Sequence, residues 1–460
     1  MPLDADPIVE PVREATARFA ERVYDVVAGE EDERACDAIP DEACNEVPGS
    51  FLLNALNGAS TKLAEQLASP GLVLPWMLGA IGAPAVLVGL LVPVRRAGSL
   101  LPQLAIAGRI RQYPRRKWFW VGAGLAQAVA LLVMIPALLF LGALWGGISV
   151  VALLAVFAVA SGVGSVAFKD VMAKTIPRGR RGRLLGVRAT AGGVLALAAA
   201  VVLRFYVGDD GELLPYLILL FAAAVLWALA SLFFAAIREM EGATGGGRSA
   251  LEEAREGVHL IREEPAFGRF ILARAFLLAA QLATPFYVLQ AQAAVGVGAG
   301  NLALFIMAAS AAAILSSPFW GKFADASSRR VMVAGGVWTA ATVGLALVSA
   351  LFPESPLALA LFALVFLFSG FAEAGVRLGR KTYLVDGAPA KIRPLMVAVS
   401  NTAVGVMYVV AALFGVVADR FGPEYVLGVL GTMALAGTVI ALRLPEAQSL
   451  VSAHRSDEEA

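Results

Sequence analysis

The chain has 460 residues, of which 59% are hydrophobic and 16% charged, and 37 Lys/Arg against 36 Asp/Glu give a formal net charge of +1. Soluble proteins carry roughly 25% charged residues and about half apolar ones, so this chain lacks the charge to cover a water-facing surface. Its mean hydropathy of +0.75 agrees. These numbers argue against a soluble multidomain enzyme, a disordered scaffold and a nucleic-acid binder, and the even charge balance implies no polyanionic partner.

In chain order, residues 1–50 come first. Ile8, Val12, Ala15, Phe19, Val23 and Val26 recur at helical spacing, which predicts an amphipathic helix. An acidic stretch at 30–46 follows, with Arg34 as its only basic residue. This helix either lies on a membrane, binds the underside of the helical bundle, or is a plain solvated tail. No apolar h-region precedes position 51, so no signal peptide is expected. Cys36 and Cys44 stand in a C-x7-C spacing that matches no zinc pattern, and His259 and His454 are distant in sequence. The two thiols are read as unreactive, and no metal or cofactor is expected.

A transmembrane helix needs about 20 apolar residues. Twelve such spans are predicted, at 51–79, 84–108, 117–142, 147–174, 184–207, 214–237, 268–295, 299–323, 330–352, 357–386, 393–418 and 422–444. They group into a first half at 51–238, a linker at 239–267, a second half at 268–446 and a tail at 447–460. Within the linker, GATGGGR at 242–248 reads as flexible, and Ser249 to Glu252 as a capping box opening a short helix.

Basic residues orient the bundle. Arg109, Arg111, Arg115, Arg116 and Lys117 follow span 2, and Lys174, Arg178, Arg180, Arg181 and Arg183 follow span 4. Lys322, Arg329 and Arg330 follow span 8; Arg380, Lys381, Lys391 and Arg393 surround the turn after span 10. The alternate turns near 80, 145, 297 and 355 have no Lys or Arg, while Arg204 and Arg420 flank the other two. The positive-inside rule places the basic turns in the cytoplasm. With an even number of spans, both termini are then cytoplasmic, in a multi-pass protein of the cytoplasmic (inner) membrane.

The halves correspond at an offset of about 212 residues. GRIRQYPRRK at 108–117 matches the place of GKFADASSRR at 321–330; Pro177, Arg181, Thr190 and Gly193 match Pro389, Arg393, Thr402 and Gly405, and Lys169 falls opposite Lys381.

The second-half loop, Gly321 through Asp325 to Arg329 and Arg330, resembles the G-x-x-x-D-x-x-x-R-R signature of the major facilitator superfamily. The run PRGRRGR at 177–183 is similar to that family's P-x-x-x-R-G turn. The resemblance covers about 50–446 and implies an all-α membrane fold of twelve transmembrane helices in two pseudo-symmetric six-helix halves. In the first-half copy Gln112 stands where the family has an acid, and the G-P pair of the family's antiporter motif is absent from span 5. The resemblance further implies gate residues at the cytoplasmic mouth. Asp325 would contact the start of span 5, near Arg183, and a basic residue of span 10, Arg380 or Lys381. Arg329 and Arg330 serve either this gate or topology alone.

Ionisable residues inside spans mark cavities or partners, because a charge at mid-span costs at least about 2.5 kcal/mol. In span 1, Asn54, Asn57, Gly58, Thr61, Lys62, Glu65 and Ser69 form one polar stripe. Span 10 has Ser369, Glu373, Arg377 and Arg380; span 4 has Ser161, Ser165 and Lys169; span 7 has Arg274 and Gln281. These are the four spans that line the central cavity in the family the chain resembles. Depth selects Asn57, Lys62, Glu65, Arg95, Arg96, Gln281, Glu373 and Arg377 as candidate solute contacts, each of which is alternatively a structural pair. Lys62, Arg95, Arg96 and Arg377 against Glu65 and Glu373 leave two surplus positive charges, which leans toward an anionic or carboxylate-bearing solute. Glu65 and Glu373 are the candidate proton carriers. Lys169, Asp170 and Arg188 lie nearer the gate, and Trp118, Trp120, Trp145 and Trp227 read as interfacial anchors or packing.

No Walker motif or nucleophile–base pair is present, so neither an ATP-driven pump nor an enzyme is expected. The leading expectation is a monomeric secondary transporter whose partners are a small-molecule solute, membrane lipids and, if coupled, protons. The other is a transporter-like sensor or assembly factor, supported only by Gln112 and the N-terminal segment.

Overall fold

The computed structural model describes residues 46–206, 213–242, 244, 259–262, 264–388 and 392–447. The N-terminal amphipathic pattern, Cys36, Cys44, the Ser249–Glu252 capping box and the tail beyond 447 lie outside the described residues.

All regular structure among the described residues is helical. The predicted first span is carried by α1 (Val47–Leu67) and α2 (Val73–Ala80), and the second by α3 (Ala85–Leu100) and α4 (Pro102–Ile110). Single helices then follow: α5 (Lys117–Phe140), α6 (Gly142–Thr175), α7 (Arg178–Tyr206) and α8 (Leu214–Ala235). The second half begins with α9 (Pro265–Phe276), α10 (Ala279–Leu282) and α11 (Thr284–Val295), continues with α12 (Ala299–Ala326), α13 (Ser328–Ser349) and α14 (Pro356–Gly387), and ends with α15 (Arg393–Ala411), α16 (Leu413–Phe421) and α17 (Pro423–Leu442). Ten segments are long and apolar enough to cross a membrane. The two remaining predicted spans, 51–79 and 84–108, are interrupted as helices.

Proline explains several breaks. Pro70 and Gly71 separate α1 from α2, and Ser69 Oγ accepts from the Leu72 N–H at 3.1 Å across the gap. Pro285, in the first turn of α11, sits just past the corresponding break in the second half. Proline removes an N–H donor and clashes with the preceding turn. The opening segment of each half is therefore discontinuous, the arrangement that transporters use beside a cavity.

Small residues let the helices within each half approach closely. A methyl placed on Gly98 of α3 would lie 2.8 Å from Ala158 Cβ of α6, and one on Gly370 of α14 would lie 2.8 Å from Ala312 Cβ of α12. The same crossing thus occurs in both halves with glycine and alanine exchanged. Between halves, α7 packs on α12, α3 on α15 and α16, and α2 on α11. The backbones of α3 and α16 touch where Gly89 meets Gly415.

The two ends of the bundle differ. At the end away from the basic loops the turns are tight: Gly82 and Gly296, at equivalent places in the two halves, have φ of 72° and 81°. Glu354 takes φ 57° without being glycine, held by its N–H donating to Ala294 O at 2.8 Å. The outer surface is apolar, with side chains such as Phe140, Phe205 and Leu351 largely exposed. Trp118 and Trp145 lie on that surface, whereas Trp120 and Trp227 are buried and pack with Phe234 and Phe157.

The Gly89 contact yields a direct test. A Cβ there would sit 2.4 Å from Gly415 Cα, so Gly89→Val must push backbone apart. Thermal unfolding of detergent-purified protein is expected to show a loss of about 1–3 kcal/mol. Gly122→Val and Gly428→Val, where nothing lies within 4 Å, are expected to be near neutral.

Candidate solute site and its gates

Two charged clusters occupy mid-depth. In the first half, Lys62 Nζ pairs with Glu65 Oε2 at 2.8 Å, and Arg95 Nη2 lies 3.7 Å from Glu65 Oε1. Arg95 also donates to Ser161 Oγ at 3.1 Å, with its guanidinium 5.2 Å from the centre of the Phe157 ring. Glu65 is therefore tied within its own half. The second cluster joins the halves: Arg96 Nη2 lies 3.5 Å from Glu373 Oε1, which is also 3.7 Å from Arg377 Nη1 on the next turn of α14. Successive residues on a helix point about 100° apart, and that separation sends Arg95 and Arg96 to different carboxylates.

Two predicted contacts are placed elsewhere. Asn57 is buried and donates to Ala230 O of α8 at 2.9 Å, within the first half. Gln281 is buried and accepts from the Tyr408 hydroxyl of α15. Arg274, on α9 before the break that precedes Gln281, donates to Ser400 Oγ and to Asn401 Oδ1, the latter at 2.9 Å. In the first half Arg188, on the helix equivalent to α15, reaches back to Asn54 O at 2.9 Å. Each half thus uses one arginine to tie its first helix to its fifth, placed on opposite members of the pair.

Above these clusters the glycine-turn end is sealed. Trp76 on α2 donates from Nε1 to the Tyr216 hydroxyl of α8 at 3.1 Å and to Val297 O at 3.0 Å. Tyr216 donates to the same carbonyl at 2.6 Å, and Gln292 Nε2 of α11 donates to Trp76 O at 2.7 Å. Trp76 and Tyr216 are fully buried, and Trp76 meets Phe305 edge-on. Polar ring atoms sealed from water must find partners, and here those partners span both halves.

The basic end is braced within each half. Glu239, just past α8, has a fully buried side chain and accepts from the Arg116 and Lys117 N–H groups at 2.7 and 2.6 Å and from Lys174 Nζ at 2.7 Å. A carboxylate at the first turn of α5 also meets the positive end of the helix dipole. Arg116 in turn pairs with Asp170 of α6 at 3.0 Å. In the second half Glu446, just past α17, pairs with Arg329 at 2.8 Å and accepts from Ser327 Oγ at 2.8 Å, beside the start of α13. Gln112 is exposed. The glutamate that braces the first-half loop lies more than a hundred residues away, beyond its sixth helix.

Asp325, Arg330, Arg380 and Lys381 make no hydrogen bond or ion pair across the halves among the described residues. Asp325 is exposed and makes no hydrogen bond or ion pair among the described residues. Arg183, Arg330 and Lys381 are exposed, and Arg380 is half-buried. Mid-depth Lys62, Arg96 and Arg377 keep 41–51% of their side chains exposed. Fully buried Trp76 lies on one side of these charges and the unengaged Asp325 on the other. The mid-depth charges are thus open to solvent while the Trp76 end is closed.

Residues 270–459 match the family model described as Major Facilitator Superfamily. The whole fold resembles a nucleoside transporter structure, NupG, with TM-score 0.69 and 11% identity over 86% of this chain and 99% of that one. The inward-open xylose transporter XylE from E. coli gives TM-score 0.63 and 14% identity over 87% and 98%. The second half of the chain thus matches the major facilitator superfamily, and the chain as a whole shares the fold of these transporter structures. Its apolar helices are those of a multi-pass membrane protein with a transporter fold. Uncharacterized proteins of Mycobacterium tuberculosis and Mycobacterium bovis are 26% identical to it over 387 residues, which cover 83% of this chain and 74% of theirs.

Nothing in the sequence marks Trp76, Tyr216, Gln292 and Tyr408 as gate or seam residues. Each is an amphipathic residue inside an apolar run, a pattern that serves packing as readily as gating, and only a partner distant in sequence separates the two. Glu239 carried a fainter signal, as the first of two acids after span 6, at the place Glu446 takes after span 12.

Removing Glu239 takes the carboxylate from two helix-start N–H groups and from a largely buried lysine, which keeps the Pro114 carbonyl. Glu239→Ala is expected to destabilise the protein by about 3 kcal/mol, read as a fall in melting temperature in detergent. Gln112→Ala is expected to change it by less than about 0.5 kcal/mol. Equal effects would show that the brace is not at Glu239.

Proposed function

We propose that the protein is a secondary active transporter working by alternating access, with its solute bound at mid-depth between the halves. The observation that carries this is the Arg96–Glu373 pair, which joins the halves beneath a sealed end and beside water-accessible charge. Rocking one half against the other would break this pair and the Trp76–Tyr216–Val297 contacts while allowing Asp325 to engage at the opposite mouth. By the positive-inside rule the open mouth is cytoplasmic, which gives both termini a cytoplasmic location and the conformer an inward-facing state. Residence in the cytoplasmic membrane and function as a monomer are part of this reading.

The surplus of arginine and lysine around the cavity supports an anionic or carboxylate-bearing solute. Glu373 is the better placed of the two candidate proton carriers, because protonating it would remove a link between halves. Protonating Glu65 would disturb only contacts within the first half. The alternative of a non-transporting sensor drew on the missing acid at 112, and Glu239 supplies a brace to that same loop.

Reconstituted into vesicles and screened against a panel of small carboxylates, the protein is expected to show saturable uptake stimulated by an inward proton gradient. Glu373→Gln is expected to abolish the gradient's effect while retaining solute exchange, and Glu65→Gln to keep it. Gradient-stimulated uptake that survives both substitutions together would rule out proton coupling through these groups.

A further inference from the structure

Four guanidinium groups converge where the halves meet. Arg96 of α3, Arg274 of α9 and Arg377 of α14 all lie near enough to Arg380 of α14 for their positive charges to repel it. Glu373 neutralises part of this charge, shared between Arg96 at 3.5 Å and Arg377 at 3.7 Å. Glu65 also acts on Arg96 but is already engaged by Lys62 and Arg95.

The remaining valences are unfilled. Arg380 makes no hydrogen bond or ion pair among the described residues. Arg274 donates to two neutral oxygens, Ser400 Oγ and Asn401 Oδ1, and its buried Nε has no acceptor. Arginine stays charged in proteins and offers a planar fork of donors with no acceptor. Guanidinium groups within a membrane are costly unless they face water, an acid or a ligand, and this cluster presents more positive charge to the water-accessible space than Glu373 offsets. A neutral sugar or nucleoside needs acceptors as well as donors, and the cluster offers few. A single carboxylate could replace Glu373 on Arg96 but would leave Arg380 and Arg274 uncompensated.

We propose that the cluster binds a solute carrying two negative charges, a dicarboxylate or a phosphate monoester, which displaces Glu373 from Arg96 and bridges Arg96 of the first half to Arg380 and Arg274 of the second. This rests on the transport reading and names its substrate class. A dianion would bring the halves together through its own charge, and the released Glu373 would remain beside Arg377.

The test uses the full-length protein in detergent, with thermal unfolding followed in succinate, glycerol phosphate, acetate, xylose or uridine, each matched in ionic strength with sodium chloride. At least one of the two dianions is expected to raise the melting temperature by several degrees with saturation, and acetate, xylose and uridine are not. A response to succinate alone identifies the dicarboxylate, and one to glycerol phosphate alone identifies the phosphate. Arg380→Gln, at a side chain with no hydrogen bond or ion pair among the described residues, is expected to fold normally and to weaken the effect at least tenfold. Arg96→Lys, which keeps the charge and loses the fork, is expected to weaken it as well.

Dianions that do no more than acetate or sodium chloride, or an Arg380→Gln protein that keeps the full shift, would overturn the proposal. Stabilisation and vesicle uptake of xylose or uridine would leave transport standing and overturn the dianion class. A dianion bound through Arg380 without any vesicle counterflow would instead overturn transport and leave the site.

Discussion

A charge at mid-depth in a bilayer must face water, an opposite charge or a ligand, and in this protein that constraint locates both the cavity and the seam between halves. Apolar side chains can face lipid anywhere on the bundle, so hydrophobicity alone does not say which helix faces turn inward. Charge does. Lys62, Glu65 and Arg95 settle one another within the first half, whereas Arg96 finds its carboxylate only across the seam, on Glu373. The helices that hold these groups are pinned in rotation by that requirement, and the small-residue crossings at Gly98 and Gly370 let them pack closely enough to meet it.

The same seam is treated differently at its two ends. Away from the basic loops it is closed by an indole, a phenol and an amide converging on main-chain carbonyls. Neutral hydrogen bonds of this kind are worth roughly 0.5–1.5 kcal/mol each, enough to favour one state without locking it. At the basic end the strong interactions lie within halves, on Glu239 and Glu446, and keep each half rigid. Rigid halves joined by weak contacts at one end and a mid-depth ion pair suit the alternating access proposed above.

The repeat is also clearer in space than in sequence. Equivalent positions often differ in residue type while the contact persists: glycine and alanine exchange at the close crossing, and Arg188 and Arg274 sit on opposite members of the same helix pair. A pairwise contact survives when its two members swap places, whereas position-by-position similarity does not.

Hydropathy and charge along the chain were sufficient for the helical segments, their ends near Gly82, Gly296 and Pro356, the two halves and the four helices with polar stripes, because these follow from short-range periodicity and from the cost of charge in lipid. Depth alone also singled out Glu65, Arg95, Arg96, Glu373 and Arg377. Their pairing was beyond the sequence, since a stripe gives the direction of a side chain but not what stands opposite. So were the interruptions in the first span of each half, the turning of Asn57 toward α8 and the plug built on Trp76. Glu239 taking the place left empty by Gln112 belongs with them. Each depends on a partner tens to hundreds of residues away, brought near only when helices of the two halves pack, and no local pattern encodes that distance.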